Sequence, residues 1–196
     1  MIRVTVWNEY FHEREYDGIA KVYPDGIHGC IGKFLGKEKG FTVKCVTLDM
    51  ENQGITQELL DETDVLIWWG HAKHHELTDE NARLVHNAVL SGMGFIALHS
   101  AHLSKPMVSL MGTTMSLHWR HGDSEKLWCI APTHPIADGV PLCIDIPDEE
   151  MYGECFDIPR PDDVVFTGWF KGGEVFRSGC CWKRGLGKVF YFRPGH

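Results

Sequence analysis

The chain has 196 residues, 43% of them apolar, and a net charge of −8 with histidine neutral. That length suits one domain with a substantial core, taken as residues 1–196, and the acidic balance without a Lys/Arg cluster argues against nucleic acid or anionic membrane as partner. No run of about 18 apolar residues is present for a transmembrane helix, and the opening MIRVTVWNEY lacks a basic segment followed by an apolar stretch, so cytoplasm is the expected compartment.

Ile2 to Trp7 alternates apolar and polar residues and predicts a first strand. Asn8 to Gly26 is polar, with Gly18, Pro24 and Gly26, and reads as a long loop of the kind that often carries function. Ile27 to Lys39 has Ile27, Ile31, Phe34 and Leu35 at helical spacing, its glycines suiting close packing on a sheet, and Phe41 to Leu48 follows as a strand. Thr56 caps a short helix to Glu62. Asp64 to Trp69 is apolar nearly throughout, as in a parallel strand buried on both faces, so Trp68 and Trp69 are core residues. Thr78 to Ser91 is the clearest helix, capped by Thr78 and striped by Ala82, Val85, Ala88 and Val89, and Gly94 to Leu98 is the fourth strand. This alternation implies a parallel sheet with right-handed crossovers.

A helix is expected over Lys105 to Met111. The remainder reads as strands at Leu127–Ala131, Leu142–Ile146, Val164–Thr167, Val175–Trp182 and Lys188–Phe192, an antiparallel extension broken by prolines, with Gly185 and Gly187 in its last hairpin. The seven cysteines are scattered, odd in number and without a Cys-x-x-Cys pair, which argues against a disulfide framework or a Cys-based zinc site. Cys180 and Cys181 fall in one strand, so each face receives one.

Histidines mark the ends of the apolar runs. His71 follows DVLIWWG, His99 and His102 follow GFIAL, and His196 follows KVFYFRPG. Ligands of open α/β sheets bind where the carboxyl ends of the strands meet, and imidazole titrates near neutrality and binds metals. His99 carries the sharpest signal, at a strand-to-helix elbow that exposes its side chain as a base or ligand. The spacing His-x-x-His at His71/His74, His99/His102 and His118/His121 raises a zinc-like site, with His71, His99, His118 or Glu9 as ligands. For His74, His75 and His121 a solvated or structural role is the favoured reading. Asn8, Glu9 and His12 follow the first strand and share the crevice rim as substrate-binding candidates. Trp119, in a polar stretch, offers a flat face to a sugar ring. The acidic run Asp148, Glu149, Glu150 reads by composition as surface charge. No G-x-S-x-G or G-x-C-x-G elbow and no Walker or dinucleotide fingerprint occurs.

Four blocks in order, GMGFIALHSAH (Gly92–His102), THPIADGVP (Thr133–Pro141), DEEMYGE (Asp148–Glu154) and GKVFYFRPGH (Gly187–His196), resemble the trehalose-utilisation, or ThuA-like, family. The resemblance implies an α/β, flavodoxin-like fold similar to class I glutamine amidotransferases: a mostly parallel sheet flanked by helices, with antiparallel additions in the C-terminal half. Where those amidotransferases carry a thiolate, His99 stands here, and His196 stands at their late histidine, so no glutamine amidotransferase activity is expected. By the same match, Glu150 and Tyr152 align with an acidic block of the family and His118 with a histidine after GTTMSLH. The family usually continues past His196 with a C-terminal helix, which this sequence lacks. Its association is with trehalose and related disaccharides, plausibly as oxidised (keto) sugars.

Three functions follow as expectations. The first is an enzyme acting on a small carbohydrate, with His99, His196 and Glu150 in acid/base chemistry and Trp119 or Tyr152 stacking on the ring. The second is a metal-dependent hydrolase or isomerase using zinc or another divalent ion. The third is a non-catalytic sugar-binding or regulatory module. Aromatic residues on the antiparallel extension suggest a homo-oligomer.

Overall fold

Strand β1 (Ile2–Asn8) is buried along its last five positions, as its β-branched residues require. It pairs in parallel with β2 (Phe41–Thr47) and β3 (Val65–Trp69), and β3 pairs in parallel with β4 (Gly94–Leu98). These relations come from a computed structural model, which describes residues 1–195. The alternation read from the sequence is therefore present. The late strand β9 (Gly187–Phe192), expected within the antiparallel extension, instead joins β4 in parallel and turns its other edge to antiparallel β8 (Val175–Arg184). It is the hinge between the two halves of one nine-stranded sheet, ordered β2-β1-β3-β4-β9-β8-β7-β5-β6.

Helix α3 (Gly26–Leu35) covers β1 and β2 on one face, placing Ile31 and Leu35 against Val4, Val6 and Ile67. Gly32 lies so near β2 that a Cβ would come within 2.6 Å of Cys45 Sγ, the close packing that its glycines suggested. Three helices cover the other face: α4 (Gln57–Asp61), α5 (Asp79–Leu90) and α6 (Lys105–Met111). Their starts are fixed locally, because the Thr56, Thr78 and Ser104 side chains accept the N–H of the third residue on. Their Leu59, Val85, Val89, Met107 and Leu110 close over Trp7, Trp68, Phe95 and Tyr191. Cys180 joins this core and Cys181 the opposite one, one on each face of β8. Among the described residues no helix is long and apolar enough to cross a membrane.

Two expectations need correction. The stretch after β1 is not a continuous loop, because α1 (His12–Glu15) and α2 (Asp17–Val22) lie within it. Of their residues only Glu13 is buried, so they show no apolar stripe. The antiparallel strands are also longer than expected: β7 spans Asp163–Phe170, β5 spans His118–Cys129 and β6 spans Cys143–Gly153. The β5–β6 ribbon shifts register between Arg120 and Asp123 and again between Asp123 and Glu125. Each bulge breaks the period-two pattern by which a strand is recognised. Pro147 falls at the second shift, where its missing N–H is tolerated.

Candidate metal and sugar site

The carboxyl ends of β1, β3 and β4 are neighbours, so Glu9, His71 and His99 arrive at one edge, where the crossovers change face. His99 is fully buried rather than exposed, and its backbone adopts φ +50° at the elbow. A left-handed backbone costs an L-residue about 1–2 kcal/mol, and strain of this kind persists where surrounding structure imposes it. The β5–β6 ribbon folds back over this edge and delivers Glu150. Ligand atoms of His71, His99 and Glu150 all lie within 4.8 Å of one another. The His71 and His99 rings stack at 5.8 Å and 2°.

His99 is oriented from behind. Its Nδ1 is 3.0 Å from the Arg193 carbonyl oxygen, an acceptor only, so Nδ1 carries the proton of that bond. Nε2 then faces the site, 3.2 Å from Glu150 Oε2 and 3.4 Å from the Tyr152 hydroxyl. A lone-pair nitrogen and a carboxylate oxygen at that separation repel unless a proton or a cation lies between them. Two imidazoles and a carboxylate form a donor set common to catalytic divalent metals, and a ligating histidine usually gives its other N–H to a carbonyl, as His99 does.

Glu9 supports the same edge. It is 1% exposed and accepts the N–H groups of Ala72 and Lys73 at 2.8 and 2.9 Å, which pins the loop after His71. His12 packs edge-on against His71 at 4.7 Å, with its Nδ1 3.6 Å from Glu9. These two expected substrate contacts therefore sit behind His71. Asn8 is corrected more strongly: it is fully buried and bonded to Glu13, His28 and the Tyr10 N–H, away from the cavity.

A cavity of about 350 Å³ opens in front of the cluster, lined among others by His71, His102, Trp119, His121, Glu150 and Tyr152. Trp119 is 58% exposed there, as a stacking surface requires. Tyr152 cannot stack on a sugar as expected, because it is 2% exposed and its ring is stacked on His99. It presents its hydroxyl instead, and burial raises its pKa so that the proton stays on oxygen. His118 is not in the ligand group among the described residues. It is exposed, and with Trp119 in the cavity strand alternation turns it away. His196 lies outside the described residues.

Only Asp148 of the acidic run is surface charge: Glu149 and Glu150 are 6% and 5% exposed. Sequence reasoning also missed His121, whose Nδ1 is 3.2 Å from Glu150 Oε1, and Arg193, whose partners lie on distant strands. The repeated His-x-x-His spacing was a usable signal for His121.

His102 is buried and donates from Nδ1 to the His99 carbonyl at 3.3 Å. Burial depresses its pKa to about 3, and His28 and His74 are lowered for the same reason. The unfolded chain binds a proton at His102 near pH 6.5 that the folded chain refuses. Its contribution is complete above that pH and is lost as pH falls from about 6.5 towards about 3. Denaturant titration of His102→Gln is expected to lose about 2 kcal/mol less stability than the parent between pH 6.5 and 5. Parallel pH profiles would refute this.

The nine-stranded sheet, parallel at first and antiparallel later, is similar in fold to the glutamine amidotransferases. The ThuA family profile, described as trehalose utilisation, matches residues 3–196, and the chain belongs to that family. A ThuA-like protein of Parabacteroides merdae superposes with a TM-score of 0.69 at 13% identity, over 97% of this chain and 78% of that one. One from Bacteroides uniformis gives 0.67 at 15% identity, over 100% and 82%. A glutamine amidotransferase of Thermotoga maritima gives 0.53 at 10% identity, over 99% and 75%. Identities this low show a shared fold and no more. No curated protein matches the sequence.

Proposed function

We propose that the protein is a carbohydrate-active enzyme of the trehalose-utilisation type, acting on a disaccharide or its keto derivative through a divalent metal held by His71, His99 and Glu150. The convergence of those three donors at the head of the cavity carries the reading. Held there, a divalent ion polarises a substrate oxygen and makes water a stronger acid. The remaining tasks belong to the chain. Trp119 supplies a flat apolar face to the ring. Tyr152 keeps its proton and donates a hydrogen bond towards an oxygen near the ligands. His121, on the exposed rim and paired with Glu150, can move a proton between substrate and solvent. Among the described residues no cysteine lines the cavity, so a thiolate route is not part of the proposal.

A second reading is favoured by the direct His99–Glu150 contact: a protonated imidazole paired with a carboxylate as a metal-free acid/base couple. Elemental analysis of purified protein, with turnover of trehalose and 3-keto-trehalose before and after chelation, separates the two. The metal reading expects about one equivalent of metal, loss of turnover on stripping and recovery with Zn²⁺ or Mn²⁺. Full turnover after chelation supports the acid/base couple. Saturable sugar binding without product would overturn both.

A further inference from the structure

We propose that Arg193 is the positioning residue of this centre, setting two of its three ligands from outside the cavity; the inference builds on the metal reading above. The residue follows β9 and is fully buried. Its N–H donates to the Ser178 carbonyl at 2.8 Å, which fixes the backbone just beyond the strand. Its carbonyl then takes the Nδ1–H of His99 at 3.0 Å, holding ring rotation and tautomer so that Nε2 faces the cluster. Its side chain acts on the other ligand. Nη1 donates to the Glu150 carbonyl at 2.8 Å, anchoring the β6 backbone from which that carboxylate projects.

Such a group is costly to bury. A buried guanidinium loses several kcal/mol of hydration. Two carboxylates meet it: Nη2 bonds Glu125 and lies 3.4 Å from Glu149 Oε2. Ser178 Oγ donates to Glu125 at 3.1 Å, and the Gly195 N–H donates to Glu149 at 3.1 Å. The guanidinium carbon lies 5.1 Å from the Phe170 ring centre and 6.0 Å from that of Tyr152. A well-packed apolar side chain commonly stabilises such a position at least as well as an ion cluster. What apolar packing cannot do is supply directed N–H groups to a chosen carbonyl. Arg193 thus joins β9, β5 and β6 at the point from which His99 and Glu150 are aimed.

The test uses R193K in the whole chain. Lysine keeps the charge between Glu125 and Glu149 but lacks the planar fork that serves a carbonyl and a carboxylate together. Titration with Zn²⁺ and Co²⁺ is expected to show a 10–100-fold loss of affinity at unchanged circular dichroism, the usual consequence of disturbing a residue that orients ligands. R193K keeps the backbone carbonyl, so the ¹⁵N spectrum of the metal-free protein is expected to show His99 protonated at Nδ1 in both proteins, while the Nε2 resonance, which senses the Glu150 carboxylate 3.2 Å away, shifts once the Nη1 bond no longer anchors Glu150. Should R193K fail to fold, E125Q, which removes one buried charge and keeps the volume, is expected to move both readouts in the same direction by less. Parent-like affinity together with an unchanged His99 Nε2 resonance would overturn the proposal. A parent that binds neither metal would defeat the metal reading, and the Nε2 comparison would still decide the role of Arg193.

Discussion

Replacing His99 by alanine is expected to lower turnover of the sugar substrate on the order of 10³-fold or more while leaving the fold intact. The side chain is fully buried, and the substitution removes the Nε2 that faces Glu150 and a ligand atom of the cluster. Alanine inherits the strain of φ +50° at this position, and it forfeits the bond to the Arg193 carbonyl, worth about 1 kcal/mol. His99→Gly should be equally inactive but relieved of about 1 kcal/mol of backbone strain. A pair of inactive variants in which glycine is the more stable would show a residue held in an unfavourable conformation for its chemistry. Near-parent turnover in either variant would remove His99 from the mechanism.

Gly187→Ala is expected to be the most damaging small change outside the site. A Cβ at Gly187 would lie 2.1 Å from the Val89 carbonyl oxygen and 2.7 Å from that of Met93. Both are backbone atoms, one in the last turn of α5 and one in the link to β4, and they cannot swing aside as a flexible side chain would. The β8–β9 turn is tied there, with the Leu186 N–H donating to the Leu90 carbonyl at 2.9 Å and Arg184 Nε to the Leu110 carbonyl at 2.7 Å. Relief requires β9 to move, and β9 joins the two halves of the sheet. A loss of about 3 kcal/mol or more follows, or about 6–12 °C in Tm for a domain of this size. Gly18→Ala is the control: nothing lies within 4 Å of its added Cβ, and α2 should be unchanged or slightly steadier. Equal melting temperatures for the two variants would refute the steric account.

The parallel half of the fold was legible because its signals are local. A strand buried on both faces reads as an unbroken apolar run such as Val65–Trp69, and a helix start reads as Thr56 or Thr78 at the cap. His71 and His99 were legible for the same reason, each following such a run at the edge where ligands bind. The β5–β6 ribbon was hidden by its bulges, so of the residues it brings to the cavity Glu150 and Tyr152 were reached only through the family resemblance. Composition placed Glu149 and Glu150 at the surface, because an isolated carboxylate is too costly to bury. Gly187 was legible as a turn residue, but the Val89 and Met93 carbonyls that demand it belong to another part of the chain.

Spacing and burial along single segments thus dictate a parallel α/β core, its helix caps and the two histidines at the ends of β3 and β4, and the family resemblance adds Glu150. That Glu150 lies against both histidines, that His118 is turned away and that Arg193 aims the group follow from contacts between distant segments. The cost of burying a charge depends on what opposes it, and the guanidinium that meets Glu149 and grips the Glu150 carbonyl comes from just beyond β9, more than forty residues further along the chain.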